Sequence, residues 1–274
     1  MRRYIAFLDI LGFKQFVTTT PLEQAVARMG HVFSFLPYAE CLFKISEIDG
    51  VAHPDPTHRS VFRFSFSDSF VFATKDDSRD SLNSIIVSTA ILSRSLFASM
   101  FPVRGAIVLG DADFIPNSDH MIGSGIVAAV EFEQQQDWLG VTLSPKIGDH
   151  TSITDRLHPR VQPLIARYTV PLKEGTLPDA TVINWRFNLF SHIGIKPLFP
   201  PPNDESSRRK QAHTLAFARH LRDTNQVQTE HDQFWLAPVI IPRQPVGDPR
   251  RRLNYYTVMS SEIEPVGASA HGIL

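Results

Sequence analysis

Two aspartates stand where their surroundings make them hard to ignore. Asp9 closes an apolar run, Phe7-Leu8-Asp9-Ile10-Leu11-Gly12-Phe13, and Asp68 sits in Phe66-Ser67-Asp68-Ser69-Phe70. A carboxylate at the end of an apolar strand is costly to bury alone, so Asp9 needs a partner or a task. Asp68 has a plainer reading, because aspartate bonds readily to its own backbone in tight bends. Brought together with a backbone carbonyl, the two carboxylates make a hard oxygen site suited to Mg²⁺ or Mn²⁺. Two such ions lower the pKa of a hydroxyl nucleophile and clamp phosphate oxygens during in-line displacement. Other chemistries find less support. Ser124 lies in Gly-Ser-Gly and lacks the five-residue form of a nucleophile elbow. The histidines show no zinc spacing, and Cys41, the sole cysteine, cannot build a thiolate zinc site.

The elements that must position these residues follow from patterning. Arg3 to Ile10 is short and apolar and predicts a buried strand. Thr20-Pro21-Leu22-Glu23 predicts a helix start, with Thr20 as cap and Glu23 completing a capping box. Leu22, Ala25, Val26, Met29 and Phe33 fall at helical spacing and predict its buried face. Ser60 to Ala73 alternates at period two and predicts a hairpin turning at Asp68. Asp80 to Met100 predicts a long helix, Val103 to Leu109 a strand, Gly123 to Gln135 a helix and Val141 to Leu143 a strand. This order describes a ferredoxin-like α+β sheet with its helices on one face. In that arrangement Asp9 and Asp68 lie at the same end of neighbouring strands.

Further on, Ala180 to Phe187 predicts another strand, and Phe199-Pro200-Pro201-Pro202-Asn203-Asp204 breaks it off. Asp204 or Ser206 caps a helix reaching about Arg222, whose Arg208-Arg209-Lys210 has the look of a solvated helix start. Beyond Gln226 the chain is rich in proline and carries the basic run Arg250-Arg251-Arg252. The predicted organisation is a catalytic domain over 1–190 and a C-terminal helical and Pro-rich extension over 191–274.

The bulk numbers exclude some classes. With 27 basic and 28 acidic residues the formal net charge is −1, which gives no basic surplus for displacing counterions from nucleic acid. One cysteine permits no intrachain disulfide and points to a reducing, cytoplasmic setting. The opening Met1 to Val17 is interrupted by Asp9 and Lys14 and is not followed by a small-residue cleavage site, unlike a signal peptide. No stretch carries the roughly 20 apolar residues of a membrane span.

Four motifs in order carry a family resemblance. Ala6 to Phe13 (AFLDILGF) resembles the first metal motif of class III adenylate and guanylate cyclases. Phe66 to Ala73 (FSDSFVFA) resembles their second metal hairpin, with Ser67 where a glycine is usual. Val103 to Asp111 (VRGAIVLGD) resembles the strand that follows, and Ile122 to Glu133 (IGSGIVAAVEFE) the late helix that starts at a glycine. The resemblance covers residues 4 to 190. It implies that Asp9, Asp68 and the Ile10 carbonyl hold two Mn²⁺ or Mg²⁺ ions, and that Leu11, Gly12 and Phe13 hold phosphates. Arg104 would bind the triphosphate tail, Gly123 would lie beside the nucleotide, and each active site would form between two protomers of a homodimer.

The departures matter too. Where the family has an Asn and, one turn on, a transition-state Arg, this chain has Val127 and Glu131. At the base-reading positions it has Phe64, or Arg63 if the strand bulges, and His120. This combination, with the acidic end Glu131-Phe132-Glu133, is similar to the bacterial antiphage Pycsar cyclases, which make cyclic UMP or cyclic CMP to activate an effector. Arg63 and His120 as donors to uracil carbonyls favour UTP over CTP. An adenylate or guanylate cyclase, a non-catalytic nucleotide-binding module and a purely structural dimerising domain are the alternatives.

Overall fold

The computed structural model describes residues 1–40, 45–48, 51–54, 59–115, 120–185, 204–224, 242–243 and 253–254. Cys41, the proline run at 199–203, the chain immediately after Gln226 and the Arg250 to Arg252 run lie outside the described residues. In chain order the elements are β1 (Arg2–Ile10), α1 (Phe13–Thr19), α2 (Leu22–Glu40), β2 (Ile45–Ile48), β3 (Val51–Pro54), β4 (Phe62–Phe66) and β5 (Ser69–Ala73). They continue with α3 (Arg79–Ala98), β6 (Val103–Asp111), β7 (Asp113–Phe114), β8 (Met121–Ile122), α4 (Ser124–Gln135) and β9 (Gly140–Leu143). The last are α5 (His150–Arg156), β10 (Ile165–Pro171), β11 (Thr176–Ile183), α6 (Glu205–Asp223), β12 (Pro242–Arg243) and β13 (Leu253–Asn254).

Seven strands form one sheet in the order β10-β11-β9-β6-β1-β5-β4. Its β6-β1-β5-β4 half is antiparallel throughout, with α2 between β1 and β4 and α3 between β5 and β6. That is the βαββαβ order of a ferredoxin-like α+β fold. β9 extends it by pairing parallel to β6, and the β10–β11 hairpin closes that side. Residues Met1–Lys44 with Pro54–Asp232 form one compact unit, to which α6 belongs. Residues Ile45–His53 with Gln233–Leu274 form a second, whose described strands make two small antiparallel pairs, β2 with β3 and β12 with β13.

Alternation along β1 sorts the two faces of the sheet. Tyr4, Ala6, Leu8 and Ile10 are buried on one face, where α3 packs on β1 and Phe33 of α2 meets Phe70 at 6.0 Å. Ile5 and Phe7 point the other way, into a cluster with Val108, Ala112 and Ala129 of α4. The expectation of helices on one face therefore holds for α2 and α3 and fails for α4, which covers the opposite face. Two glycines let it come that close. A Cβ on Gly110 would stand 2.7 Å from the Gly125 Cα, and one on Gly125 would stand 2.5 Å from the Ile5 side chain.

Of the expected buried face of α2, Ala25 is buried, and the stripe then runs on through residues that were not expected. Ala25, Val32, Leu36 and Ala39 face the core, whereas Leu22, Val26 and Phe33 are exposed. Both stripes satisfy helical spacing, and tertiary packing chose the one with smaller side chains. Thr20 ends α1 instead of capping α2. The strand expected over 180–187 is β11, four residues earlier at each end, and β10 and α5 were not foreseen. α3 is long and apolar enough to cross a bilayer by composition, yet Ile85, Ile86, Leu92, Leu96 and Phe97 are buried in the protein core. Its apolar content is core packing.

Candidate active site

β1 ends at Ile10, and the β4–β5 hairpin turns beside it. The turn is two residues long, Ser67 and Asp68, and Ser67 adopts φ +55°, the left-handed region that tight hairpins require at their first central position. A backbone bond ties the two segments together: the Ile10 N–H donates to the Asp68 carbonyl at 3.0 Å. Asp9 stands directly across from Ser69 on β5 and from Arg104 on β6. Paired residues in antiparallel strands share a face, so Asp9, Ser69 and Arg104 project to the same side, the side that α4 covers.

The electrostatics of Asp9 follow from this crowding. Burial pushes its carboxyl up from the ordinary 3.8 to about 6, and the Asp68 and Glu133 carboxylates push the same way. The Ser69 hydroxyl, which donates to Asp9 Oδ1 at 2.9 Å, pulls it partly back, as does Arg104. A half-buried carboxylate next to a second carboxylate is a place where a cation is wanted. Among the described residues no group of three or more His, Cys, Asp or Glu side chains gathers to hold an ion. Two carboxylates with a backbone carbonyl would suit a hard divalent ion that completes its shell with water and phosphate oxygens.

The loop after Asp9 is partly committed already. The Leu11 N–H donates to the Pro102 carbonyl at 2.8 Å. Gly12 takes φ +75° and leads into α1, so the first-turn amides of Phe13 and Lys14 have no carbonyl within their own helix to meet. Phe13 packs toward Phe16, which lies edge-on to Phe101 under the Arg28 guanidinium.

Arg104 is buried and engaged. Its Nε forms an ion pair with Oε1 of Glu133 near the end of α4, and its Nη1 donates to the Gln136 carbonyl at 2.9 Å. Gln136 is itself fixed, donating to the Gly105 carbonyl at 2.9 Å and accepting from Trp138 Nε1 and Thr142 Oγ1. The next residue, Asp137, is buried and anchors α6 through Arg209, Lys210 and His213. The Arg208 to Lys210 run is therefore not a freely solvated helix start. Two of its three cations neutralise a buried carboxylate.

The base-reading candidates separate. The β4–β5 register runs without a shift from Phe62↔Ala73 to Phe66↔Ser69, so Phe62, Phe64 and Phe66 share the face of Asp9. Arg63 points to the other face and pairs with Glu40 at the end of α2. Without the bulge that would turn it round, Arg63 is corrected from a base-reading donor to the partner of Glu40. Phe64 stacks on Phe114 with ring centroids 5.8 Å apart. His120 is exposed, its carbonyl accepting from Ile115 N–H at 2.9 Å. Gly123 caps α4 against Asp111 and Ala112, where a Cβ would come within 2.2 Å of the Asp111 carbonyl. Arg104 and Asp111 mark opposite ends of β6, about 23 Å apart at the rise of a strand. Within one chain, Asp9 and Asp68 come together with Arg104, while His120 and Gly123 lie at the far end. Val127 and Glu131 are exposed on α4.

Ser69 and Gln136 escaped the sequence reading. The two-residue turn at 67–68 pairs Ser69 with Phe66, whereas its place opposite Asp9 is set by the long-range β1–β5 register, which no local signal fixes. The role of Glu133 was reachable from helical spacing: Gly125, Ala129 and Glu133 recur every four residues on the buried face of α4.

No family model matches the chain, and no curated protein does. Distant structural neighbours among solved proteins are nucleotide cyclases. The guanylyl cyclase Cya2 aligns with a TM-score of 0.41 at 10% identity, over 69% of this chain and 96% of that one. The guanylate cyclase domain of RhGC from Catenaria anguillulae, solved in complex with GTP, gives 0.42 at 9% identity, over 66% and 95%. The adenylyl cyclase CyaB from P. aeruginosa gives 0.41 at 11% identity, over 71% and 98%. Likeness this distant lends no substrate and no residue role to the present chain.

Proposed function

We propose that this chain is a nucleotide cyclase that converts UTP to 3′,5′-cyclic UMP and pyrophosphate, acting in the cytoplasm as the second-messenger synthase of an antiphage response with a cyclic-nucleotide-activated effector. The observation that carries the reading is the junction of β1 with the β4–β5 turn, where Ile10 is bonded to Asp68 and the Asp9 carboxyl is raised to about 6. Asp9, Asp68 and the Ile10 carbonyl would hold two divalent ions, Mn²⁺ or Mg²⁺. Bound there, the ions supply Lewis acidity to the 3′-hydroxyl and to the phosphate oxygens.

The chain's own residues account for the rest. Asp9 and Asp68 gather negative charge where cations are needed, and Ser69 fixes the Asp9 carboxylate. Arg104 faces the same side and offers a guanidinium to the triphosphate. The Leu11 to Phe13 loop presents first-turn amides to phosphate. His120 and Gly123, at the other end of the sheet, would contact the nucleotide from a second copy of the chain, so the working unit is a homodimer. Exposed Phe66, Ile122 and Val127 provide apolar surface for that pairing.

Offering the four nucleoside triphosphates with Mn²⁺ and identifying the product by mass spectrometry tests this reading. Cyclic UMP is the expected main product, and Asp9→Ala and Asp68→Ala should each abolish it while leaving the fold intact. A main product of cyclic CMP, cyclic AMP or cyclic GMP would correct the base. A second reading is favoured by Val127 and Glu131, which put no Asn or Arg on the exposed face of α4: a non-catalytic module that binds a nucleotide. Stabilisation by nucleotide and Mn²⁺ with no product from any triphosphate would establish it.

A further inference from the structure

We infer that Glu133 is a positioning residue that holds Arg104 away from Asp9, keeping the Asp9 carboxylate open to cations and the Arg104 guanidinium aimed at phosphate. The inference rests on the cyclase reading of the same site. Arg104 and Asp9 are cross-strand partners on one face of the sheet. Left alone, a guanidinium and a carboxylate so placed pair with each other, and a carboxylate paired with arginine is a poor metal ligand. The structure shows another arrangement. Glu133, with its side chain 2% exposed, reaches down from α4 and takes the Arg104 Nε, while the Gln136 carbonyl takes Nη1. The described acceptors of Arg104 are thus both supplied by the end of α4, and Asp9 accepts from Ser69 instead.

Nothing in core packing calls for this acid. Glu133 occupies the third position of a buried stripe whose other members, Gly125 and Ala129, are small and apolar. A buried acid of that kind is tolerated where its charge is matched, and here the match is a residue of the proposed phosphate site. Gln136 shares the task at its own level: its side chain is locked by Gly105, Trp138 and Thr142, so its carbonyl cannot follow Arg104 if the guanidinium swings away.

The test is Mn²⁺ binding measured by calorimetry on the full chain, alongside kcat and KM. Glu133→Gln keeps the volume and one acceptor but removes the charge. It should weaken Mn²⁺ binding about 10- to 100-fold, the range expected for loss of a residue that orients a metal site. Glu133→Asp retains the charge and should bind Mn²⁺ within about threefold of wild type, well inside that range. Adding Arg104→Gln to Glu133→Gln removes the cation that would otherwise turn onto Asp9. The double variant should regain wild-type Mn²⁺ binding while its KM for the nucleotide stays high. It also carries no unpaired buried charge, so it reports even if the single variant does not fold. Equal Mn²⁺ binding by wild type and Glu133→Gln, or no recovery in the double variant, would overturn the inference and leave the cyclase reading standing. A wild type that binds no Mn²⁺ would overturn both.

Discussion

The Ser69 hydroxyl donates to Oδ1 of Asp9 across 2.9 Å, from the neighbouring strand and one residue after the turn that carries Asp68. This bond favours the charged form of Asp9 against burial and against two nearby carboxylates. Ser69→Ala should therefore raise the Asp9 pKa further and leave less of it ionised near neutrality. Mn²⁺ binding should weaken by several-fold near pH 5, about the 1 kcal/mol worth of one such hydrogen bond, and the deficit should shrink to less than about twofold near pH 7 and vanish as the pH is raised further. Calorimetry across pH distinguishes this from a general loss of structure, which alkaline conditions would not repair.

The raised carboxyl also makes a statement about folding in the absence of metal. The folded Asp9 holds its proton up to about pH 6, whereas the unfolded chain releases it near 3.8. Above about 6 both states are ionised and the folded state bears the whole cost of the buried charge; below the unfolded value both are protonated and the cost disappears. Asp9→Asn should thus stabilise the metal-free protein at about pH 8, by about 1 kcal/mol once screening of a half-exposed group is allowed for. The two proteins should converge toward about pH 4 in urea unfolding. A constant difference across that range would contradict the assignment.

Close approach of α4 to β6 depends on Gly110 and Gly125. An added methyl at Gly110 comes 2.7 Å from the backbone of Gly125, which cannot rotate away, while one at Gly125 meets chiefly the end of the Ile5 side chain at 2.5 Å and approaches backbone only to 3.0 Å. Gly110→Ala should cost more stability than Gly125→Ala. The first is expected to lose about 1–3 kcal/mol, the usual cost of overpacking. The second recovers part of its loss through better helix propensity, worth about 1 kcal/mol. Thermal melts of the two variants rank them directly.

Asp137 ties α6 to the sheet. Its side chain is buried, and Arg209, Lys210 and His213 all face it. Asp137→Ala strands Lys210, whose pKa burial already lowers. Breaking a buried ionic cluster from its centre typically costs about 3–5 kcal/mol, so α6 should become a site of rapid limited proteolysis. Arg209→Ala removes a half-exposed partner and should cost about 1 kcal/mol or less. Peptide mapping of the early cleavage products reads the difference.

Much of this architecture is written locally. The alternation of Ser60 to Ala73 and the apolar run of Arg3 to Ile10 each specify a strand without help from the rest of the chain, and so the hairpin and its turn at Asp68 were legible. The capping Asp204, which accepts from Ser207 N–H, was legible for the same reason. What was not legible depends on which of several consistent choices packs best. Starting from Ala25, which both share, a stripe through Leu22, Val26 and Phe33 fits a helix as well as one through Val32 and Leu36, and only the sheet beneath decides. Arg63 and Phe64 are neighbours on one strand, and only the register decides which of them faces Asp9. The pairing of Glu133 with Arg104 and of Asp137 with Arg209 joins residues far apart in sequence, so no local pattern announces it.

The two ends of β6 carry a last implication. Asp9 and Arg104 mark one end; Gly123 and His120 mark the other. If catalysis joins the near end of one subunit to the distant end of its neighbour, every dimer contains two complete centres, each assembled from complementary halves. Two inactive proteins, one lacking the Asp9 carboxylate and one lacking the exposed His120 side chain, should then rescue each other on mixing, because a mixed pair leaves one centre with both halves unharmed. A catalyst built wholly within one chain could show no such mutual repair.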